Sequence, residues 1–126
     1  MAGIISVSSE LDNLSIKKLE QIKANILSMC PPNNRPIITI RKTSEKKLYN
    51  VNEYIMEISQ SCERSYKLIR YLYIPSNRSS ILDKIIQIWY EDFVNETGYE
   101  EFTNDTHEEK TEKELYNDIC LLFVNN

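Results

Sequence analysis

The chain has 126 residues, of which 41% are hydrophobic, so it is long and apolar enough for one folded domain with a single core. No apolar run reaches the length of a membrane span, and the first residues lack the basic region of a secretory signal, so we expect a protein that stays inside the cell and off the membrane. The net charge is −4, and this modest total hides a marked sorting of charge along the sequence.

Residues 35–78 carry nine Lys and Arg against four acids, whereas residues 79–126 carry twelve acids against three lysines. A region of about +5 therefore precedes one of about −9. The basic middle suits an anionic partner, which could be nucleic acid, an acidic peptide or the chain's own acidic end folded back. Ordinary solvated faces would give the same pattern, so charge alone does not choose between these interpretations.

Two glycines and four prolines leave most of the chain to long regular elements, and the apolar spacing predicts that these are helices. Apolar residues recur mostly at three and four positions from Leu14 to Leu27, which predicts a first helix ending at Cys30. The same spacing between residues 51 and 72 predicts two further helices that break near residues 59–61, where Ser and Gln cluster.

Residues 37–40 form the ambiguous segment. A β-branched run after Pro36 favours a strand locally. A lone strand would have no partner in an otherwise helical chain, which argues against that interpretation.

Two capping-box patterns predict the last helices. Ser80 with Asp83 opens a central buried helix that contains Trp89, for which we expect core packing. Thr106 with Glu109 opens a final amphipathic helix. Residues 97–106 are expected to form an acidic loop and residues 1–12 to be flexible.

Side chains for catalysis are scarce. The single histidine, His107, lies among acids, and Cys30, Cys62 and Cys120 are too far apart in sequence for a metal-ligand motif. A hydrolase, kinase or redox enzyme needs a nucleophile, a base and usually a glycine-rich cradle, and none of these is recognisable. We therefore expect no enzyme, no cofactor and no metal.

Five segments in order resemble the folded core of the transcription elongation factor family named for interacting with Spt-six, which has a TFIIS N-terminal-like fold. They are residues 26–36 (ILSMCPPNNRP), 36–41 (PIITIR), 67–75 (KLIRYLYIP), 80–89 (SILDKIIQIW) and 106–115 (THEEKTEKEL). The resemblance implies an all-α fold, a compact right-handed bundle or repeat-like domain of about six helices. It also favours a helix beginning at Ile37, against the local strand preference.

The resemblance further implies a nuclear, non-catalytic factor of RNA polymerase II elongation, expected to be monomeric, that docks the acidic N-terminal segment of the histone chaperone Spt-six. An acidic segment of this kind needs a basic surface with apolar pockets. The residues expected to bind it are Arg41, Lys42, Tyr66, Lys67, Arg70, Tyr71 and Tyr73.

Two alternatives stay open. A nucleic-acid-binding helical domain could use the same basic stretch, although the acidic total and the lack of a recognition motif make this less favoured. A viral or parasite helical adaptor that binds a host peptide is the other.

Overall fold

A computed structural model describes residues 2–43, 53–75, 83–94, 100–104 and 107–124, and it describes side chains for residues 13–43, 53–75, 83–94 and 107–124. The described residues form one long helix, six strands and a short helix that continues into a π-helical turn. The elements are α1 (Ala2–Met29), β1 (Ile37–Lys42), β2 (Tyr54–Cys62), β3 (Ser65–Ile74), β4 (Lys84–Val94), β5 (Glu100–Asn104), β6 (Glu108–Lys110), α2 (Glu112–Ile119) and the π turn (Cys120–Val124).

The strands form one antiparallel sheet in the order β1-β2-β3-β4-β5. β5 pairs with residues 90–94 of β4, and β6 pairs with residues 85–87 of the same strand. The expected all-α bundle of about six helices is therefore wrong, and so is the description of the domain as helical. Both described helices lie on one face of the sheet, which we call the helix face. The domain is an α+β fold in which a helix layer covers an antiparallel sheet.

The main core lies between the helix layer and the helix face. Alternate residues of a strand point to the same face, so every second side chain of β2 and β3 enters this core. Helical positions spaced by three and four meet them from α1 and α2. The buried contributors are Leu19, Ile22 and Ile26 from α1, Tyr54, Met56 and Ile58 from β2, Ile69, Tyr71 and Tyr73 from β3, and Leu115, Ile119 and Phe123 from the C-terminal segment.

The opposite face of the sheet carries a second buried cluster, formed by Ile55, Leu72, Ile74 and Ile86. Where β2 begins and β3 ends, the strands are therefore apolar on both faces. Strands buried on both faces lose the alternation of apolar and polar residues that marks a half-exposed sheet.

This double burial explains why residues 51–72 were wrongly predicted as helices. Tyr54, Ile55 and Met56 are consecutive and all buried, so no period of two is visible. The β2–β3 hairpin turns at Glu63 and Arg64, which lack the glycine or asparagine that usually marks a two-residue turn. The local apolar spacing favours a helix, but pairing between β2 and β3 makes both segments strands.

Residues 84–94, predicted as the central buried helix, form β4, for the same reason. The proposed cap at Ser80 lies outside the described residues. Residues 37–40 form a strand, as their β-branched side chains favour, and the partner that seemed to be missing is β2.

The first and last helices are confirmed as helices. The described buried positions of α1, namely Ser15, Leu19, Ile22 and Ile26, follow the helical period, and the helix ends at Met29 before the two prolines. The last helix begins later than predicted. Its capping box consists of Thr111 and Glu114: the Thr111 hydroxyl accepts from the Glu114 N–H at 3.1 Å, and the Glu114 carboxylate accepts from the Thr111 N–H at 2.9 Å.

Other boundaries also differ from the sequence interpretation. Residues 2–12, expected to be flexible, belong to α1. Residues 100–104 of the expected acidic loop form β5.

Candidate functional site

The sheet separates the seven residues predicted to bind a partner into three groups. Arg41 and Lys42 lie exposed on β1 at the edge of the sheet. Tyr66 and Arg70 lie on the face opposite the helices. The remaining three, Lys67, Tyr71 and Tyr73, alternate with these on β3 and point to the helix face.

The helix-face group is engaged within the chain. The Lys67 ammonium donates to the Leu122 carbonyl at 3.0 Å, and the Tyr71 hydroxyl donates to the Asp118 carboxylate at 3.2 Å. Tyr71 and Tyr73 are 1% and 3% exposed, so in this structure neither offers a surface to a partner. Burial, reinforced by Asp118, raises the pKa of the Tyr71 hydroxyl far above its ordinary value, so Tyr71 stays neutral.

On the opposite face, Arg70 is held by its neighbours in the same row of the sheet. Its guanidinium donates to the Glu57 carboxylate at 2.5 Å and lies 5.9 Å from the centre of the Trp89 ring. A bulge shifts the β3–β4 register between Arg70 and Tyr71, which puts Trp89 directly opposite Arg70. Trp89 is half-buried on this face, in a strand and outside the main core.

Two carboxylates, those of Glu57 and Glu91, lie near Tyr66 on this face. Burial first, then the charges of Glu91 and Glu57, raise the pKa of the Tyr66 hydroxyl. A half-exposed patch of Tyr66, Arg70 and Trp89 is therefore flanked by two carboxylates.

Two exposed arginines of the basic middle lie on and beside β1. In the part of the chain that the structure describes, neither Arg35 nor Arg41 has an ion pair, and both are exposed. Arg70, by contrast, is paired with Glu57. Of the acidic C-terminal region, Glu112 pairs with Lys18 at 2.9 Å, and β5 forms the opposite edge of the sheet.

β1 is a regular edge strand. Six consecutive residues pair with β2 without a register shift, and β2 is its single partner strand among the described residues. An edge strand presents unpaired N–H and C=O groups, and proteins usually protect such an edge with a bulge, a proline, charged side chains or a very short strand. β1 has no bulge or proline inside it, Ile37 at its start is 67% exposed, and its charged side chains are those of Arg41 and Lys42. It is therefore competent to pair with another strand.

A groove of about 300 Å³ runs between α1 and β1. Its lining includes aliphatic and aromatic side chains, and the end near the C-terminus of β1 is basic. The lining residues are Ile16, Glu20, Ile40, Arg41, Lys42 and Tyr54. Together, β1 and this groove are the candidate functional site, which we call the β1 edge.

A larger cavity, of about 790 Å³, lies elsewhere, between α1, the ends of β3 and β4, and the start of α2. Its polar side chains pair with one another: the Tyr73 hydroxyl donates to Asp83 at 2.5 Å, and Lys18 and Tyr116 both donate to Glu112 at 2.9 Å. Among the described residues, no cysteine, serine or histidine lines this cavity, and no cluster of metal-ligating side chains occurs.

The three cysteines are free thiols. Burial, with a smaller contribution from Cys120, raises the pKa of the Cys30 thiol, so it stays protonated.

Sequence reasoning identified Arg41 and Lys42 but missed Ile16 and the strand edge that brings them together. The β-branched run after Pro36 is the sequence signal for this edge, but the helical apolar spacing of the neighbouring segments hides its partner strands.

No protein-family model, curated protein or solved structure matches the chain. None of the described helices is both long enough and apolar enough to cross a membrane. The assignment of function therefore rests on the fold and on the β1 edge.

Proposed function

We propose that the domain is a non-catalytic protein-binding module that takes an acidic, extended segment of a partner protein as an additional strand along β1. The observation that carries this proposal is the coincidence of a regular, uninterrupted edge strand with the exposed cations Arg35, Arg41 and Lys42. Strand addition to a sheet edge is an established mode of peptide recognition, in which backbone hydrogen bonds supply affinity and side-chain contacts supply selectivity.

Electrostatics favours an acidic segment over a neutral one. A row of exposed positive charges accelerates association with an anionic peptide and disfavours basic competitors. The same charges also disfavour pairing of β1 with the β1 of a second copy, because six cations would then meet along one seam. An acidic partner strand relieves this repulsion.

Nucleic acid is the second candidate, because Tyr66 and Trp89 on one sheet face with Arg70 between them could stack on bases. Glu57 and Glu91 lie beside these aromatics, and Arg70 is already paired with Glu57. A polyphosphate would meet these carboxylates and the acidic C-terminal region, so we favour the protein segment.

The resemblance described above names one segment of the required chemistry, the acidic N-terminal segment of Spt-six, and with it a role in transcription elongation. The helical docking surface implied by that resemblance is absent from the described residues. The Spt-six segment therefore enters the proposal as one peptide to test, at a strand edge in place of a helical groove.

The test is fluorescence anisotropy with a labelled acidic peptide, a neutral peptide of equal length and a single-stranded oligonucleotide. The acidic peptide is expected to bind the parent protein most tightly. Arg41→Glu should weaken this binding at least about tenfold at low salt, mainly through slower association. Lys113→Glu makes the same charge change on the exposed surface of α2 and should have a much smaller effect. Equal losses from the two variants, or tighter binding of the oligonucleotide, would contradict the proposal.

A further inference from the structure

We infer that the β1 edge reads a short pattern in the bound segment: two consecutive acidic residues followed, toward the C-terminus, by an apolar residue. This inference rests on the proposed function and specifies the side chains that the site selects.

The alternation of β1 fixes which side chains of an added strand meet which surface. Ile38 and Ile40 belong to the helix-face core, and Lys42 pairs with Tyr54 of that core, so these three point toward the helices. Arg41 lies between them and points to the opposite face. Residues directly opposite each other in paired strands share a face, so the partner residue opposite Ile40 must point toward α1.

The groove at that position suits an apolar side chain. Ile16 of α1 is 43% exposed there, and Ile40 and Tyr54 form the adjoining surface. An aliphatic residue entering between α1 and β1 would cover Ile16 and remove its apolar surface from water. Glu20, one helical turn after Ile16, disfavours a carboxylate at the same place.

The next two positions suit acids. The partner residue opposite Arg41 meets a guanidinium without an ion pair among the described residues, and the one opposite Lys42 meets the basic end of the groove. The partner strand therefore carries adjacent acids beside its apolar anchor, one on each face of the sheet.

Strand direction sets the order of the pattern. Every described pair in this sheet is antiparallel, and antiparallel pairing is slightly more stable per residue than parallel pairing. An antiparallel segment passes Lys42 first, then Arg41, then Ile40. Its sequence in the N-to-C direction is acid, acid, apolar.

Three threonine-flanked peptides of identical composition test this order: Glu-Glu-Leu, Glu-Leu-Glu and Leu-Glu-Glu. The first should bind about tenfold more tightly than the second, because moving the leucine by one position turns it to the other face of the sheet. Tighter binding of the third would overturn the inferred order, since it fits a parallel strand. If all three bind equally and Arg41→Glu weakens each, the pattern is wrong and the proposed function stands. If none responds to Arg41→Glu, the proposed function itself fails.

A matched pair of variants tests the groove. Ile16→Ala should weaken binding of the Glu-Glu-Leu peptide several-fold and leave the Glu-Leu-Glu peptide unchanged. Leu14→Ala removes another exposed aliphatic residue of α1, 61% exposed and outside the groove lining, and should change neither. Both substitutions keep the helix propensity of α1 and remove exposed side chains, so both proteins are expected to fold. Equal effects of the two variants would show that the groove does not hold the anchor.

Discussion

Replacing Tyr71 separates its role in the core from the binding role that the sequence suggested. Tyr71 is 1% exposed on the central strand β3, opposite Met56 on one side and Gln87 on the other. Tyr71→Ala removes a large buried aromatic side chain, and we expect a loss of about 3 to 5 kcal/mol in the free energy of unfolding. A domain of this kind has only about 5 to 15 kcal/mol in total, so the variant should be close to unfolding.

Tyr71→Phe isolates the hydroxyl. The phenol joins the sheet to α2 through Asp118 at 3.2 Å, and Asp118 also lies 3.4 Å from the Lys110 ammonium. Because the carboxylate keeps that partner, the loss should be about 0.5 to 1.5 kcal/mol.

Urea denaturation followed by far-ultraviolet circular dichroism measures both losses. Tyr66→Ala is the matched control, since it removes a half-exposed tyrosine from the opposite face of the same strand and should cost clearly less. If Tyr71→Ala and Tyr66→Ala lose the same stability, the assignment of the two faces of β3 is wrong.

Three further predictions concern other parts of the fold. Trp89→Ala should lower the free energy of unfolding by about 1 to 3 kcal/mol, because it removes a half-buried side chain and one cation–π contact with Arg70. This is less than the cost of removing a fully buried aromatic side chain. A larger loss, measured by thermal melting, would place Trp89 in the main core. Thr111→Ala removes the cap of α2 and should cost about 1 kcal/mol by urea denaturation, and an unchanged midpoint would contradict the capping assignment. The hydrogen bond from Lys18, followed by that from Tyr116, lowers the pKa of Glu112 below its ordinary 4.5. The Lys18–Glu112 ion pair therefore stabilises the fold fully above about pH 4.5 and loses this effect as the pH falls through the lowered pKa of Glu112. Lys18→Met should therefore cost a few tenths of a kcal/mol at neutral pH and progressively less below about pH 4.5, and a deficit that grows on acidification would refute this linkage.

The sequence was sufficient for the parts of the chain whose structure is set locally. The end of α1 follows from Cys30 and the two prolines after it, and the amphipathic last helix follows from the spacing of Leu115 and Ile119. The strand at residues 37–40 was also visible in its β-branched side chains.

The sheet could not be read from the sequence in the same way, because its strands are buried on both faces where Ile55 and Leu72 adjoin Tyr54 and Tyr71. Alternation disappears there, and apolar residues fall at spacings of three and four by chance. If β2, β3 and β4 are interpreted as helices, the strand at residues 37–40 has no partner. The resemblance to a helical family favours the same wrong interpretation.

The candidate site depends on the same pairing. Arg41 and Lys42 are predicted from charge, but the groove that they border together with Ile16 follows only from the packing of α1 against β1. Tyr71 and Tyr73 could not be assigned to the core without the register of β3, since tyrosine occurs both in cores and at interfaces.

Amide hydrogen exchange on the protein saturated with the acidic Glu-Glu-Leu peptide tests the central claim most directly. Strand addition gives partners to the backbone groups of β1 that point away from β2, so exchange of those amides should slow at residues 37–42, while exchange in β5 at the opposite edge stays unchanged. Protection at the sheet face around Trp89, or at β5, with no change in β1, would contradict the account.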